Sequence, residues 1–133
     1  MNSVFLDTVG LLALWDASDQ WHAMADGAFS ALKASRRPLL TTTFVLLECG
    51  NAAARRPYRV VVPELWQTLA SANALVVPDS DDVRLAWEAY RRGGADGAGI
   101  VDHVSFIVMR RLDVAEAFMN DRHFRAAGFS LSF

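Results

Sequence analysis

Val4 to Thr8 read VFLDT: three apolar residues suited to a buried strand, then a carboxylate, then a hydroxyl. A carboxylate buried without a partner costs several kcal/mol, so a core strand that ends on one needs a reason. Two reasons are open at this level. Asp7 could cap a helix beginning near Val9, or it could belong to a site.

Outward from this strand, apolar strands and helical segments alternate. TVGLLALWDAS reads as a short helix, and Trp21, Met24, Ala25, Ala28, Phe29 and Leu32 recur at the i, i+3, i+4, i+7 spacing of an amphipathic one. Pro38 in RRPLLTTT marks a turn before a short strand, and Thr42 or Thr43 suits the cap of a helix from about Phe44 to Arg56, closed by Pro57. Pro63 fits a first helical turn ahead of Leu65, Trp66 and Leu69, and ALVVP supplies a third strand. In DSDDVRLAWEAYRRGG, Ser80 or Asp81 is the expected cap, Gly93-Gly94 the stop, and Val83, Ala86, Trp87 and Tyr90 the apolar face. GGADGAG reads as a flexible loop, and Ile100 to Leu112 as a helix lying deep in the domain. AEAFMND reads as a strand ending on Asp121, RHFRAAG as a helical turn and FSLSF as a last strand. Strands separated by helices pair in parallel through right-handed crossovers, so the expected fold is a three-layer α/β/α sandwich around a mainly parallel sheet. Ligands of such sheets collect at the carboxyl ends of the strands, where Asp7 and Asp121 would both lie.

Composition narrows the class. A chain of 133 residues is one domain by size, spanning 1–133. Its apolar fraction is 53%, yet no apolar run approaches the ~20 residues of a membrane span. The N-terminus lacks a signal-peptide pattern and Cys49 is the sole cysteine, so a cytoplasmic protein is expected. A net charge of −2 shows no global basic surface of the kind that marks nucleic-acid binders. The basic residues are nonetheless all arginine except Lys33, and many are paired: Arg36-Arg37, Arg55-Arg56, Arg91-Arg92 and Arg110-Arg111. Pairs at helix ends complement the helix dipole; arginine is also the residue that grips phosphate oxygens bidentately.

Asp7 is one of four acids in apolar company. Glu48 follows FVLL inside a helix, Asp102 lies in GIVDHVSFIVM, and Asp121 ends EAFMND. Asp102 and Asp121, like Asp7, could act as helix caps; Glu48 is mid-helix and has no such role. Carboxylates brought together repel unless a cation neutralises them. Oxygen donors without a cysteine or histidine cluster suit Mg2+ or Mn2+.

FLDT, LLECGNAAARR and above all IVDHVSFIVMRRLDVAEAFMNDRHFRAAGF resemble the PIN-domain ribonucleases, specifically the VapC-type toxins of bacterial toxin–antitoxin pairs. The resemblance spans nearly the whole chain and is most specific from Asp102 to Phe129. The family's four acidic positions fall on Asp7, Glu48, Asp102 and Asp121, and its hydroxyl on Thr8. It implies an endoribonuclease that uses Mg2+ or Mn2+, with Asp7 and Asp102 as direct ligands and Glu48 and Asp121 completing the pocket. Thr8 would orient Asp7 or touch a phosphate. It further implies an RNA substrate, a homodimer and a cognate antitoxin that inserts a segment over the site. Two positions depart from the family pattern: Val101, where a hydroxyl is frequent, and Val9, where a small or polar residue is usual. Asp96 in the glycine loop could add a ligand.

His22, His103 and His123 read as surface or core-edge histidines, Cys49 as a small buried residue, and the four tryptophans as core packing with an interface role for one or two. Haloacid-dehalogenase phosphotransferases need an acid where Val9 stands, and receiver domains need a late lysine, so neither fits. The remaining alternative is a PIN-like module that binds RNA or protein without cutting.

Overall fold

The computed structural model describes residues 2–133. β1 (Val4–Leu6) is followed by α1 (Thr8–Trp15) and α2 (His22–Ala34), and β2 (Leu39–Thr42) by α3 (Thr43–Ala53) and α4 (Val61–Ser71). After β3 (Leu75–Val76) come α5 (Ser80–Arg92), the single turn α6 (Gly94–Gly97) and α7 (Ile100–Arg111). β4 (Glu116–Phe118), α8 (Arg122–Ala126) and β5 (Ser130–Leu131) complete the chain. Every ladder is parallel, and the strand order is β3-β2-β1-β4-β5.

That order explains where a site can form. The chain steps from β1 to β2 to β3 in one direction and then crosses back to β4 and β5 in the other. Right-handed crossovers therefore put α1–α4 on one face of the sheet and α5–α8 on the opposite face. The crevice opens at the carboxyl ends of β1 and β4, where the winding reverses. No helix among the described residues is long and apolar enough to cross a membrane.

The core is built from the residues whose spacing announced it. Phe5, Leu6, Leu11, Leu46, Phe106, Phe118 and Phe124 are fully buried. Phe106 on α7 meets Phe124 on α8 edge-on at 4.8 Å, and Phe29 on α2 meets Phe118 on β4 at 5.5 Å. Thr41 Oγ1 donates to the Leu6 carbonyl at 2.6 Å, extending the hold of β2 on β1 to the strand's last residue.

Several local expectations are corrected. The cap of α5 is Asp79, whose carboxylate accepts from Asp82 N while Asp82 accepts in return from Asp79 N. Asp82 is consequently buried, and Arg111 Nη2 binds it at 2.8 Å, tying α7 to α5. β4 ends at Phe118, three residues before Asp121, and α3 ends at Ala53 rather than Arg56. Three of the four tryptophans are not core: Trp21, Trp66 and Trp87 are 41%, 36% and 50% exposed, whereas the half-buried Trp15 packs against the core. Met24, on the expected apolar face of α2, is also exposed. The glycine-rich stretch is an ordered turn wound left-handedly, with Ala95 and Asp96 at φ 52° and 59°.

Gly10 sets the seat of α1. A Cβ there would overlap the Phe118 carbonyl of β4, so only glycine lets α1 lie this close to the sheet. Gly10→Ala is expected to cost about 3 kcal/mol or more, because backbone rather than a flexible side chain must move. In thermal unfolding this lowers Tm by about 10 °C. Gly27→Ala in α2, where nothing lies within 4 Å, leaves Tm unchanged or raises it through helix propensity.

Candidate active site

Asp7 is the first residue beyond β1, and both reasons for its presence hold. As N-cap of α1 it accepts the Val9 N–H through Oδ2 at 3.2 Å. A cap uses only part of a carboxylate's accepting capacity, and the residue is 2% exposed. Burial first, then the charge of Asp102, push its carboxyl up to about 8; the Val9 and Thr8 N–H groups pull the other way, and Glu48 adds a smaller upward push.

Glu48 reaches the same place from α3. Its Oε1 accepts from Thr8 Oγ1 at 2.7 Å. The Thr8 hydroxyl is thus bonded to Glu48, not to Asp7. Asp102 arrives from the first turn of α7, whose cap is Gly99, so Asp102 is free of the capping role. Burial and then Glu48 push it up to about 6, with His123 opposing, Asp121 reinforcing and the Gly99 backbone relieving it slightly. Asp7, Thr8, Glu48 and Asp102 line one cleft of about 600 Å3, with Asn51 of α3 among its walls. The two helical layers converge on the end of β1 to make it.

Asp121 stands beside this cleft rather than in its wall. It caps α8 by accepting the His123 N–H through Oδ1 at 2.9 Å, and its charge is felt by Asp102. Around it lies a clasp that sequence reasoning missed. His123 Nδ1 donates to the Ala95 carbonyl at 3.2 Å, and Arg122 Nε meets Asp96 Oδ2 at 2.6 Å. Both bonds tie the left-handed turn, which runs on to the start of α7, to the start of α8. Left-handed non-glycine residues cost roughly 1–2 kcal/mol each, so the clasp holds strained backbone between the helix starts that carry Asp102 and Asp121. The donors were visible in NDRHF; the strain at Ala95 was not, because alanine gives no cue for φ > 0. Asp96 is bound to Arg122 and does not line the cleft.

The other candidates sort readily. His103 is buried, meets Phe106 edge-on at 5.5 Å, does not line the cleft, and its Nε2 has no hydrogen-bond partner among the described residues. His22 bonds the Ala13 carbonyl. Cys49, next to Glu48, is fully buried, and burial followed by the Asp7 charge pushes its thiol up to about 12. Of the arginines, Arg37, Arg56, Arg84, Arg111 and Arg122 pair with carboxylates, whereas Arg55, Arg59, Arg91, Arg92 and Arg125 have no acidic partner among the described residues.

The donor set fits a hard divalent ion: all oxygen, with a buried Asp7 whose charged form nothing cationic compensates. Among the described residues no three His, Cys, Asp or Glu side chains stand close enough to grip an ion unaided. Mg2+ keeps several waters and needs only one or two carboxylates, so the wider spacing is compatible with it. Asp7 and Asp102 are the residues that would hold it, with Glu48 reaching it through a bound water.

Asp7 keeps in the folded state a proton that the unfolded chain releases near 3.8. Its contribution to stability is therefore full below about pH 4 and lost as pH rises toward 8, a change of a few kcal/mol. Asn caps a helix as well as Asp does. In chelator, Asp7→Asn is expected to raise Tm by roughly 5 °C or more at pH 8 and to match the parent near pH 4. Adding Mg2+ at pH 8 raises the Tm of the parent and not of the variant. Differential scanning calorimetry across pH checks both.

No family model matches the chain. It is 32% identical, over 95% of its own length and of theirs, to the 23S rRNA-specific endonuclease VapC20 of Mycobacterium tuberculosis strains CDC 1551 / Oshkosh and ATCC 25618 / H37Rv. The crystal structure of Mycobacterium tuberculosis VapC20, a Sarcin-Ricin loop cleaving toxin, matches at a TM-score of 0.76 with 30% identity, covering 95% of each chain. With the parallel sheet, the strand order and the cleft at the end of β1, this relationship places the chain in the VapC-type family of PIN-domain ribonucleases.

Proposed function

We propose that the protein is an Mg2+- or Mn2+-dependent endoribonuclease and the toxin of a toxin–antitoxin pair, acting as a homodimer restrained by its cognate antitoxin. The observation that carries this reading is the cleft in which Asp7 and Asp102 are both pushed upward by burial and by neighbouring carboxylates, in a chain related to a ribosomal-RNA endonuclease. When bound, a divalent ion supplies a Lewis acid to a phosphoryl oxygen and lowers the pKa of its water.

The chain's own residues do the rest. Asp7 and Asp102 would hold the ion, whose charge would displace their protons to solvent. Thr8 fixes Oε1 of Glu48, which leaves Oε2 as the oxygen that takes a proton from the attacking water. Water adds to phosphorus, the bond to the leaving ribose oxygen breaks, and that oxygen is protonated from solvent. Asp121, held by α8, adds negative charge beside Asp102 and so favours cation uptake.

One observation favours a second reading, a module that binds RNA without cutting it: the carboxylates do not by themselves form a closed cage. The two part on cleavage. Purified protein freed of antitoxin is incubated with total bacterial RNA, including 23S rRNA, in Mg2+, Mn2+ or chelator. Discrete fragments that need metal and vanish in Asp7→Asn and Asp102→Asn are expected, the variants losing at least about 100-fold in rate while Asp102→Asn still binds RNA. Intact RNA in every lane with retained RNA binding would establish the module.

A further inference from the structure

Between α5 and α7 the backbone passes through Gly93, Ala95, Asp96 and Gly97 in left-handed conformations, at φ 71°, 52°, 59° and 74°. Glycine takes such angles freely, whereas alanine and aspartate do so only when something holds them. Ala98, the next residue, is buried, and Gly99 caps α7, whose first turn delivers Asp102 to the cleft. The place of this turn is therefore the place from which Asp102 is launched.

Side chains at the start of α8 hold it. His123 Nδ1 donates to the Ala95 carbonyl, and Arg122 Nε pairs with Asp96 Oδ2. His123 Nε2 also lies 3.9 Å from Asp121 Oδ1, and Asp121 caps the same helix. Asp102 in turn feels the charges of both His123 and Asp121. One cluster of side chains thus spans the two helix starts that carry Asp102 and Asp121, although Arg122 and Asp96 are themselves exposed and do not line the cleft. An exposed ion pair adds little to global stability. What it changes is the backbone state that an otherwise unfavourable turn occupies.

We propose that Arg122 and Asp96 are positioning residues: their ion pair, with the His123–Ala95 bond beside it, keeps the turn left-handed and so sets the separation of Asp102 from Asp121 at which the cleft takes up a divalent ion. Neither residue touches the ion or the RNA. Asp96 acts on metal uptake from outside the site, through the backbone that leads to Asp102. This rests on the carboxylate cleft being a metal site, and adds the element that fixes its spacing.

Mg2+ uptake by RNA-free protein is measured by isothermal titration calorimetry. Arg122→Ala and Asp96→Ala are each expected to raise the Kd for Mg2+ roughly 10-fold, as loss of a group that supports a ligand does. Their Tm in chelator falls by no more than about 4 °C, because the pair is exposed. Arg122→Lys, which keeps the charge, lies between Arg122→Ala and the parent. The double variant Asp96→Ala/Arg122→Ala is no weaker than either single variant, since all three remove one interaction. Asp96→Gly loses the pair but adopts the left-handed backbone without strain, and weakens uptake less than Asp96→Ala. In cleavage assays Arg122→Ala recovers at saturating Mg2+, which Asp102→Asn does not. Parent-like Mg2+ affinity in both alanine variants overturns the proposal, as do additive losses in the double variant. So does an Arg122→Ala protein that keeps its metal affinity but binds single-stranded RNA with a salt slope lowered by about one, which makes Arg122 a phosphate contact instead. A parent that takes up no divalent ion overturns it together with the metal-dependent reading. A parent that takes up Mg2+ through the clasp and cuts no RNA leaves it standing and removes the nuclease.

Discussion

The structure is organised around a carboxylate forced into the driest end of a parallel sheet. Asp7 follows the central strand β1, flanked by β2 on one side and β4 on the other, and water scarcely reaches it. Burial and the neighbouring acids both disfavour its charge. The surrounding fold keeps it there: Thr41 grips the last carbonyl of β1, Gly10 lets α1 settle onto β4, and the Val9 amide meets one of its oxygens. What the chain loses in stability at this point it holds as a pre-formed demand for positive charge, the usual relation between local destabilisation and function.

The three cleft carboxylates come from three elements and both helical layers, which makes the strand order decisive. Because the chain reverses its winding between β1 and β4, α3 and α7 lie on opposite faces yet both reach the end of β1. Charge elsewhere is arranged in two classes. Arg37, Arg56, Arg111 and Arg122 are tied to carboxylates and serve as struts, whereas Arg55 and Arg59, past the end of α3, have no such partners among the described residues. The modest net charge thus conceals local positive potential next to a negative cleft.

Much of this was legible in the amino-acid string because the governing patterns are local. Period and punctuation located β1, α1, α2 and α7, and alternation of strand with helix gave the parallel sheet. The four acids stood out because apolar neighbours made them anomalous, and three of them line one cleft. Other features depend on contacts distant in sequence. Nothing in Thr8 shows that its hydroxyl will meet Glu48, forty residues away, and Asp82 reads as an ordinary helix-start acid until Arg111 buries it. Trp21, Trp66 and Trp87 misled for a related reason: helical spacing identifies a face, but not whether another layer exists to cover it. The Ala95–Asp96 turn escaped because its left-handed backbone is held by α8 rather than by its own residues.

Cys49 has a practical meaning of its own. It is the protein's single thiol, one position from Glu48 on α3, fully buried and held in its unreactive protonated form. An alkylating reagent meets it only when α3 lifts from the sheet. Its labelling rate is therefore a clock for local opening of the α3 wall of the cleft, read without adding any probe to the molecule.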